Sequence, residues 1–219
     1  MQTTKWGPSA WVFVHQTALR YKPTYSKQYK ELFTTLKDIL PCKYCRLSYS
    51  QYIKELPVQD YLGSKNDMVR WSYLLHNKVN GKLREQGYVK YCDPPMKKAI
   101  DHYRKVEPDY YDFFGAIVFN YGGDDGMNPT AEQKKAYMRF FKLISELFGT
   151  DISIKSSDLK DRCSLITWYY TNYIDNVMEC SECTLLKKFG KYVVRFENMR
   201  AKCGKVGNKG PTCRLKLYS

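Results

Sequence analysis

Two cysteine pairs with the same spacing, Cys42-Lys43-Tyr44-Cys45 and Cys180-Ser181-Glu182-Cys183, carry the residue types in this chain best suited to chemistry. A CxxC pair can exchange disulfides, supply half of a tetrahedral zinc site, or lie as inert buried thiols. Zinc at Cys42 and Cys45 needs two further ligands, and none follows at a familiar spacing. Pro41 precedes this pair and an apolar stripe (Cys45, Tyr49, Tyr52, Ile53, Leu56) follows it, so the pair opens a helix. At a helix start the unpaired N–H groups and the dipole favour a thiolate, the form that attacks a disulfide. Local sequence leaves exchange, metal binding and burial all open.

The helices that must position the pair can be read from spacing. Residues 6–21 form a helix with Trp11, His15, Ala18 and Leu19 on one face and Pro23 beyond its end. Ser26 caps a second helix, running to Pro41, whose apolar residues recur at three and four. The helix of the CxxC covers 42–56, and a fourth covers 66–83 with Met68, Trp71, Leu75, Val79 and Leu83 inward. A fifth begins near Asp93-Pro94 and ends by Pro108. The expected fold class is therefore all-α: a bundle of four helices plus a short fifth in residues 1–107, followed by a mainly helical accessory domain, residues 108–219. In that second part Thr130 and Gln133 make a capping-box pattern ahead of a helix that Gly149 stops; another helix is expected over 158–178 and a further one from Cys180.

Three motifs stand in order around the pair. They are W-G-x-x-x-W-x-x-x-H (Trp6, Gly7, Trp11, His15), P-C-x-x-C (Pro41, Cys42, Cys45) and H-N-x-V-N-x-K-L (His76, Asn77, Val79, Asn80, Lys82, Leu83). Taken singly, a Trp four residues from a His is ordinary packing, and "HNKVN" is a solvated helix end. Jointly, over residues 6 to about 92, they resemble the Erv/ALR family of FAD-dependent sulfhydryl oxidases, especially members encoded by large cytoplasmic DNA viruses.

The resemblance implies a helical bundle that holds FAD at its mouth. Gly7, Trp11 and His15 match positions lining the cofactor, and His76, Asn77, Val79, Asn80, Lys82 and Leu83 match a segment wrapping its adenine and phosphates. The residue types suit those roles: flat rings with N–H donors, paired amide donors and acceptors, and one ammonium for a phosphate. Cys45 matches the cysteine against the flavin, and Cys42 the one that exchanges with incoming thiols. The implied reaction passes electrons from protein dithiols through the CxxC disulfide and FAD to O2, giving H2O2 and a disulfide. The resemblance further implies a homodimer, no metal at the site, and action in the cytoplasm of an infected cell and in the virion. The chain departs from the family at Pro8, where many members have Arg. It departs again at Asp67 and Met68, which stand where a structural disulfide partner for Cys92 is expected.

Cys163, Cys180, Cys183, Cys203 and Cys213 lie outside the resemblance. Cys180 and Cys183 are a candidate shuttle pair relaying electrons to Cys42; the alternatives are a zinc site of Cys180, Cys183, Cys203 and Cys213, or structural disulfides and buried thiols. Of the net charge of +14, +9 falls between Thr184 and Ser219, where ten Lys or Arg face one acid, Glu197. This stretch, with Tyr192 and Phe196 for stacking, could attract an acidic protein or a nucleic acid. No reader motif accompanies the charge, so nucleic acid is not an expected partner. The alternative from another functional class is a non-enzymatic zinc- and nucleic-acid-binding protein.

Composition sets the outer bounds. With 219 residues, 43% hydrophobic and 16% aromatic, the chain can bury a substantial core. There is no apolar run of about 18 residues or more and no apolar secretory segment at the amino terminus, so the expectation is a cytosolic protein without a membrane span. Eight cysteines are many for that location. An oxidase that forms disulfides would reconcile the two.

Overall fold

The computed structural model describes residues 3–122, 128–150 and 153–174. Among them are eight α-helices and no strand: α1 (Thr3–Leu19), α2 (Ser26–Ile39), α3 (Lys43–Glu55), α4 (Lys65–Glu85), α5 (Met96–Lys105), α6 (Tyr111–Phe119), α7 (Ala131–Phe148) and α8 (Arg162–Tyr169). The all-α expectation is met. The helix expected to start at Cys180 lies outside the described residues.

Helix ends differ from the sequence reading in ways that trace to particular bonds. The first helix starts at Thr3, so Pro8 sits inside it and has no N–H to offer the Thr4 carbonyl. Ser26 is helical and does not cap α2; Pro23–Tyr25 forms a 3-10 turn that runs directly into it, and the Ser26 N–H donates to the Pro23 carbonyl. The fourth helix, expected over 66–83, begins at Lys65 and is capped by Ser64, which accepts from the Asp67 N–H at 3.2 Å while its own hydroxyl donates to the Asp67 carboxylate at 2.7 Å. The fifth helix begins at Met96, after Pro95, because the Asp93 carboxylate is taken by Arg84 and Asn80. The helix expected over 158–178 is capped by Asp161, begins at Arg162, and gives way at Tyr170–Ile174 to a π-helical turn. The aromatic stretch after Pro108 forms α6, seven of whose nine residues are buried.

Helix α3 is held from both sides. Tyr49 donates to the Phe33 carbonyl of α2 at 2.8 Å, and Trp71 of α4 donates from its indole to the Leu56 carbonyl at 3.0 Å. Arg46 reaches back to the Leu40 carbonyl at 2.6 Å and pins the turn before the CxxC.

The boundary expected near residue 108 falls between α5 and α6, and the hydrophobic core continues across it. Phe13 of α1 meets Tyr110, Phe113, Phe114, Phe140 and Phe148, with ring centroids 5.2–6.3 Å apart. Buried Gln16 accepts from the Tyr110 hydroxyl at 2.7 Å and donates to the Val106 carbonyl at 2.7 Å. Arg139 of α7 grips Glu31 of α2 through two bonds of 2.5 Å. The expected capping box is present at Thr130 and Gln133, and Gly149 closes α7 at φ +67°, a conformation that favours glycine.

Because this aromatic core joins both segments, Phe140→Ala should destabilise the chain by about 3–5 kcal/mol. Tryptophan fluorescence and far-ultraviolet circular dichroism should then lose structure in one shared transition during denaturation. Two separated transitions would show that the segments unfold independently.

Candidate functional site

A cavity of about 450 Å³ opens between α1, α3 and α4, in the size range of small-molecule sites. Its floor is apolar, built from Val14, Leu36, Leu40 and Leu75, and its rim carries a small set of polar groups. Seven of the residues singled out from sequence as cofactor contacts besides Cys45 line it: Gly7, Trp11, His76, Val79, Asn80, Lys82 and Leu83. Cys45 lines the same cavity. A Cβ at Gly7 would meet nothing within 4 Å, so the missing side chain leaves room on the α1 wall.

Lys82 and Asn80 are each held by a partner. The Lys82 ammonium donates to Ser48 Oγ at 2.7 Å, which keeps the cation on the cavity wall instead of in solvent. Asn80 donates through Nδ2 to Asp93 at 2.7 Å, and Arg84 pairs with the other Asp93 oxygen at 2.6 Å. These bonds, Arg84 first and then Asn80, hold the Asp93 carboxyl below its ordinary range. They also tether the segment between α4 and α5, which brings Val89 and Tyr91 to the cavity although Tyr91 is 64% exposed.

Trp11 and His76 stack face to face at 3.8 Å with 8° between their planes. His15, 1% exposed, does not itself line the cavity but stands behind His76, with its Nε2 3.0 Å from His76 Nδ1. Its other nitrogen lies 3.1 Å from Ser72 Oγ, and Tyr103 of α5 stacks on its far face at 4.0 Å. Asn77 is half-buried and is not among the lining residues. Burial pushes the His15 imidazole down to about 3, helped by His76 and His102; burial lowers His76 to about 4, although Asp93 pulls it up.

The two cysteines of the first pair sit differently. Cys42 is the N-cap of α3 with extended backbone and is 3% exposed; Cys45, in the first turn, is half-buried on the cavity wall. Cys92 and Cys163 are exposed free thiols. At the positions where the resemblance places a disulfide partner for Cys92, Asp67 serves the cap of α4 and Met68 is fully buried in the core. Cys180, Cys183, Cys203 and Cys213 lie outside the described residues, and among the described ones no group of three or more His, Cys, Asp or Glu could hold a metal ion. Among the described residues no helix is long and apolar enough to cross a membrane.

Sequence reasoning missed Ser48, Ser72, Tyr103 and Asp93. The first two had a readable signal: Ser48 lies three residues after Cys45 and Ser72 four before His76, on the faces already identified. Tyr103 and Asp93 reach the site only through tertiary packing.

Residues 8–100 match the family model described as Erv1 / Alr. They form an Erv1/Alr family domain. The chain is 34% identical over 85 residues to a probable FAD-linked sulfhydryl oxidase of Acanthamoeba polyphaga mimivirus, covering 36% of this chain and 59% of that protein. It is 34% identical over 83 residues to the mitochondrial FAD-linked sulfhydryl oxidase ERV1 of Saccharomyces cerevisiae, covering 36% and 43%. With the FAD-linked sulfhydryl oxidase ERV1 of Arabidopsis thaliana the identity is 35% over 81 residues, covering 35% and 41%. The chain thus spans between 41% and 59% of the length of these relatives. No solved structure matches it. The Erv1/Alr domain contains both His15 and His76 and all of the first CxxC.

The buried histidines give a pH dependence with a definite sign. Unfolded imidazoles take up protons below about 6.5, whereas His76 and His15 in the fold resist until about 4 and about 3. The unfolded state therefore binds more protons between these values, and stability present above 6.5 is lost as pH falls. Denaturation from pH 6.5 to 4.5 should show a loss of up to about 1.4 kcal/mol per pH unit for each ring, with a shallower slope in His15→Gln. A flat profile would contradict neutral burial of the pair.

Proposed function

We propose that the chain is an FAD-dependent thiol oxidase that forms disulfides in protein substrates, with Cys42 and Cys45 as its exchanging pair. The observation that carries this reading is that Cys45 lines one cavity together with Gly7, Trp11, His76, Val79, Asn80, Lys82 and Leu83. The names of the mimivirus, yeast and plant relatives support it.

The cavity suits a flavin nucleotide. Its walls are mainly apolar with flat aromatic faces, Gly7 leaves a space that a side chain would fill, and Lys82 is held where a phosphate could meet it. Trp11 and His76 offer ring surfaces, and Asn80 is oriented by Asp93. When bound there, FAD would supply the acceptance of two electrons and their delivery to O2, chemistry that protein side chains lack.

The chain's own residues account for the thiol steps. With the pair oxidised, a substrate thiolate attacks Cys42 Sγ, the Cys42–Cys45 bond breaks, and Cys45 leaves as a thiolate. The second substrate thiol then displaces Cys42 from the mixed disulfide, releasing the substrate disulfide and a Cys42 thiolate that takes up a proton. The start of α3, where both residues sit, favours the thiolate forms. Since Cys42 is 3% exposed, attack requires the turn around Pro41 to move outward. The net reaction converts two thiols and O2 into a disulfide and H2O2.

The same reading carries further proposals. They are a homodimer, protein dithiols as substrates, and action in the cytoplasm of an infected cell and in the virion, for which the mimivirus relative is the support. Residues 108–219 are proposed as an accessory domain, with Cys180 and Cys183 as its shuttle.

Purified protein should be yellow and should consume O2 when given dithiothreitol. Cys42→Ser and Cys45→Ser should each abolish that consumption while retaining FAD. Full activity in either variant would mean that another pair exchanges, and a colourless protein with stoichiometric zinc would favour the binding-protein alternative.

A further inference from the structure

We propose that Ser72 is a positioning residue that fixes the tautomers of His15 and His76, so that His76 presents a hydrogen-bond acceptor to the cavity. Ser72 lies one turn before His76 on α4 and is fully buried. Its hydroxyl has a single proton, and the Val69 carbonyl, which can only accept, lies 2.8 Å away. With the proton committed there, Ser72 Oγ can only accept from His15 Nδ1, 3.1 Å distant.

The remaining assignments follow in sequence. Both rings are neutral near pH 7, so each carries one N–H. His15 spends its N–H on Ser72, which leaves Nε2 a bare acceptor. That nitrogen is 3.0 Å from His76 Nδ1, so His76 must carry its N–H on Nδ1. His76 Nε2 is then left with a lone pair and no partner among the described residues, on a side chain that lines the cavity.

The relay ends at a backbone carbonyl and thus serves orientation, not proton transport. Its product is selectivity: an Nε2 lone pair accepts from an amine or hydroxyl of a ligand and repels a carbonyl or phosphate oxygen. Within this cavity the phosphate-binding role falls to Lys82, and His76 is matched to an exocyclic amine or a hydroxyl of the nucleotide. The ligand side of this inference rests on the flavin reading above; the tautomer side rests on the three hydrogen bonds together with the neutrality of both rings.

The test is the nitrogen-15 spectrum of the histidine side chains in the purified full-length protein near neutral pH, which reports each tautomer directly. His15 and His76 should both be Nδ1–H species. In Ser72→Ala, His15 should become a tautomer mixture, His76 should follow, and FAD release should be about three- to tenfold faster, the scale of one lost hydrogen bond. An Nε2–H form of either ring in the unmodified protein would overturn the proposal, as would Ser72→Ala spectra identical to those of the parent. The parent spectrum decides even if the variant folds poorly. Nδ1–H tautomers in a protein that binds no flavin would uphold the role of Ser72 and overturn the flavin reading.

Discussion

The hydrogen bond of 3.0 Å between His15 and His76 joins α1 to α4 at the back of the cavity, and the geometry of the site depends on it. Two imidazoles at that distance cannot both be charged without strong repulsion, and burial removes the water that would soften it. Burial disfavours even a single charge, holding His15 down to about 3 and His76 to about 4, so both rings are neutral and the one proton between them must be supplied in a fixed direction. Tyr103 stacked on one ring and Trp11 on the other confine the pair in the remaining dimension. A flat, rigid aromatic wall results, and rigidity is what a site needs to present a planar ligand to a cysteine.

Around that wall, polar groups are secured by bonds that cost little and aim much. Ser48 restrains Lys82, and Asp93 restrains both Asn80 and Arg84. The second of these also draws the segment after α4 across the cavity. The second half of the chain contributes from behind: α6 and α7 bury the face of α1 opposite Trp11 through Phe113, Phe114 and Phe140, and so fix the helix that carries Trp11 and His15.

Much of this was legible in the amino-acid order because local rules coincide with the tertiary arrangement. Thr130, Gln133 and Gly149 state the limits of α7 without reference to anything distant. Spacings of three and four put Trp11 with His15 and His76 with Asn80, as observed. The failures are equally physical. The α6 stretch is apolar on every face, so it has no period to read. Asp93 looked like a helix cap because caps are local, but a guanidinium from α4 claims it. Ser72 shares a helix face with His76, but its role depends on a histidine 57 positions earlier, which spacing along α4 does not reveal.

The pair at Cys42 and Cys45 takes its character from this setting rather than from its own spacing, since the same spacing at Cys180 and Cys183 has no such neighbours in sequence. The central claim is that a flavin lies in the cavity against Cys45, and a crystal structure of the purified protein with FAD tests it most directly. The flavin ring is expected in van der Waals contact with Cys45 Sγ, between α1, α3 and α4. A flavin bound elsewhere, or a cavity that stays without one at saturating FAD, would contradict the account.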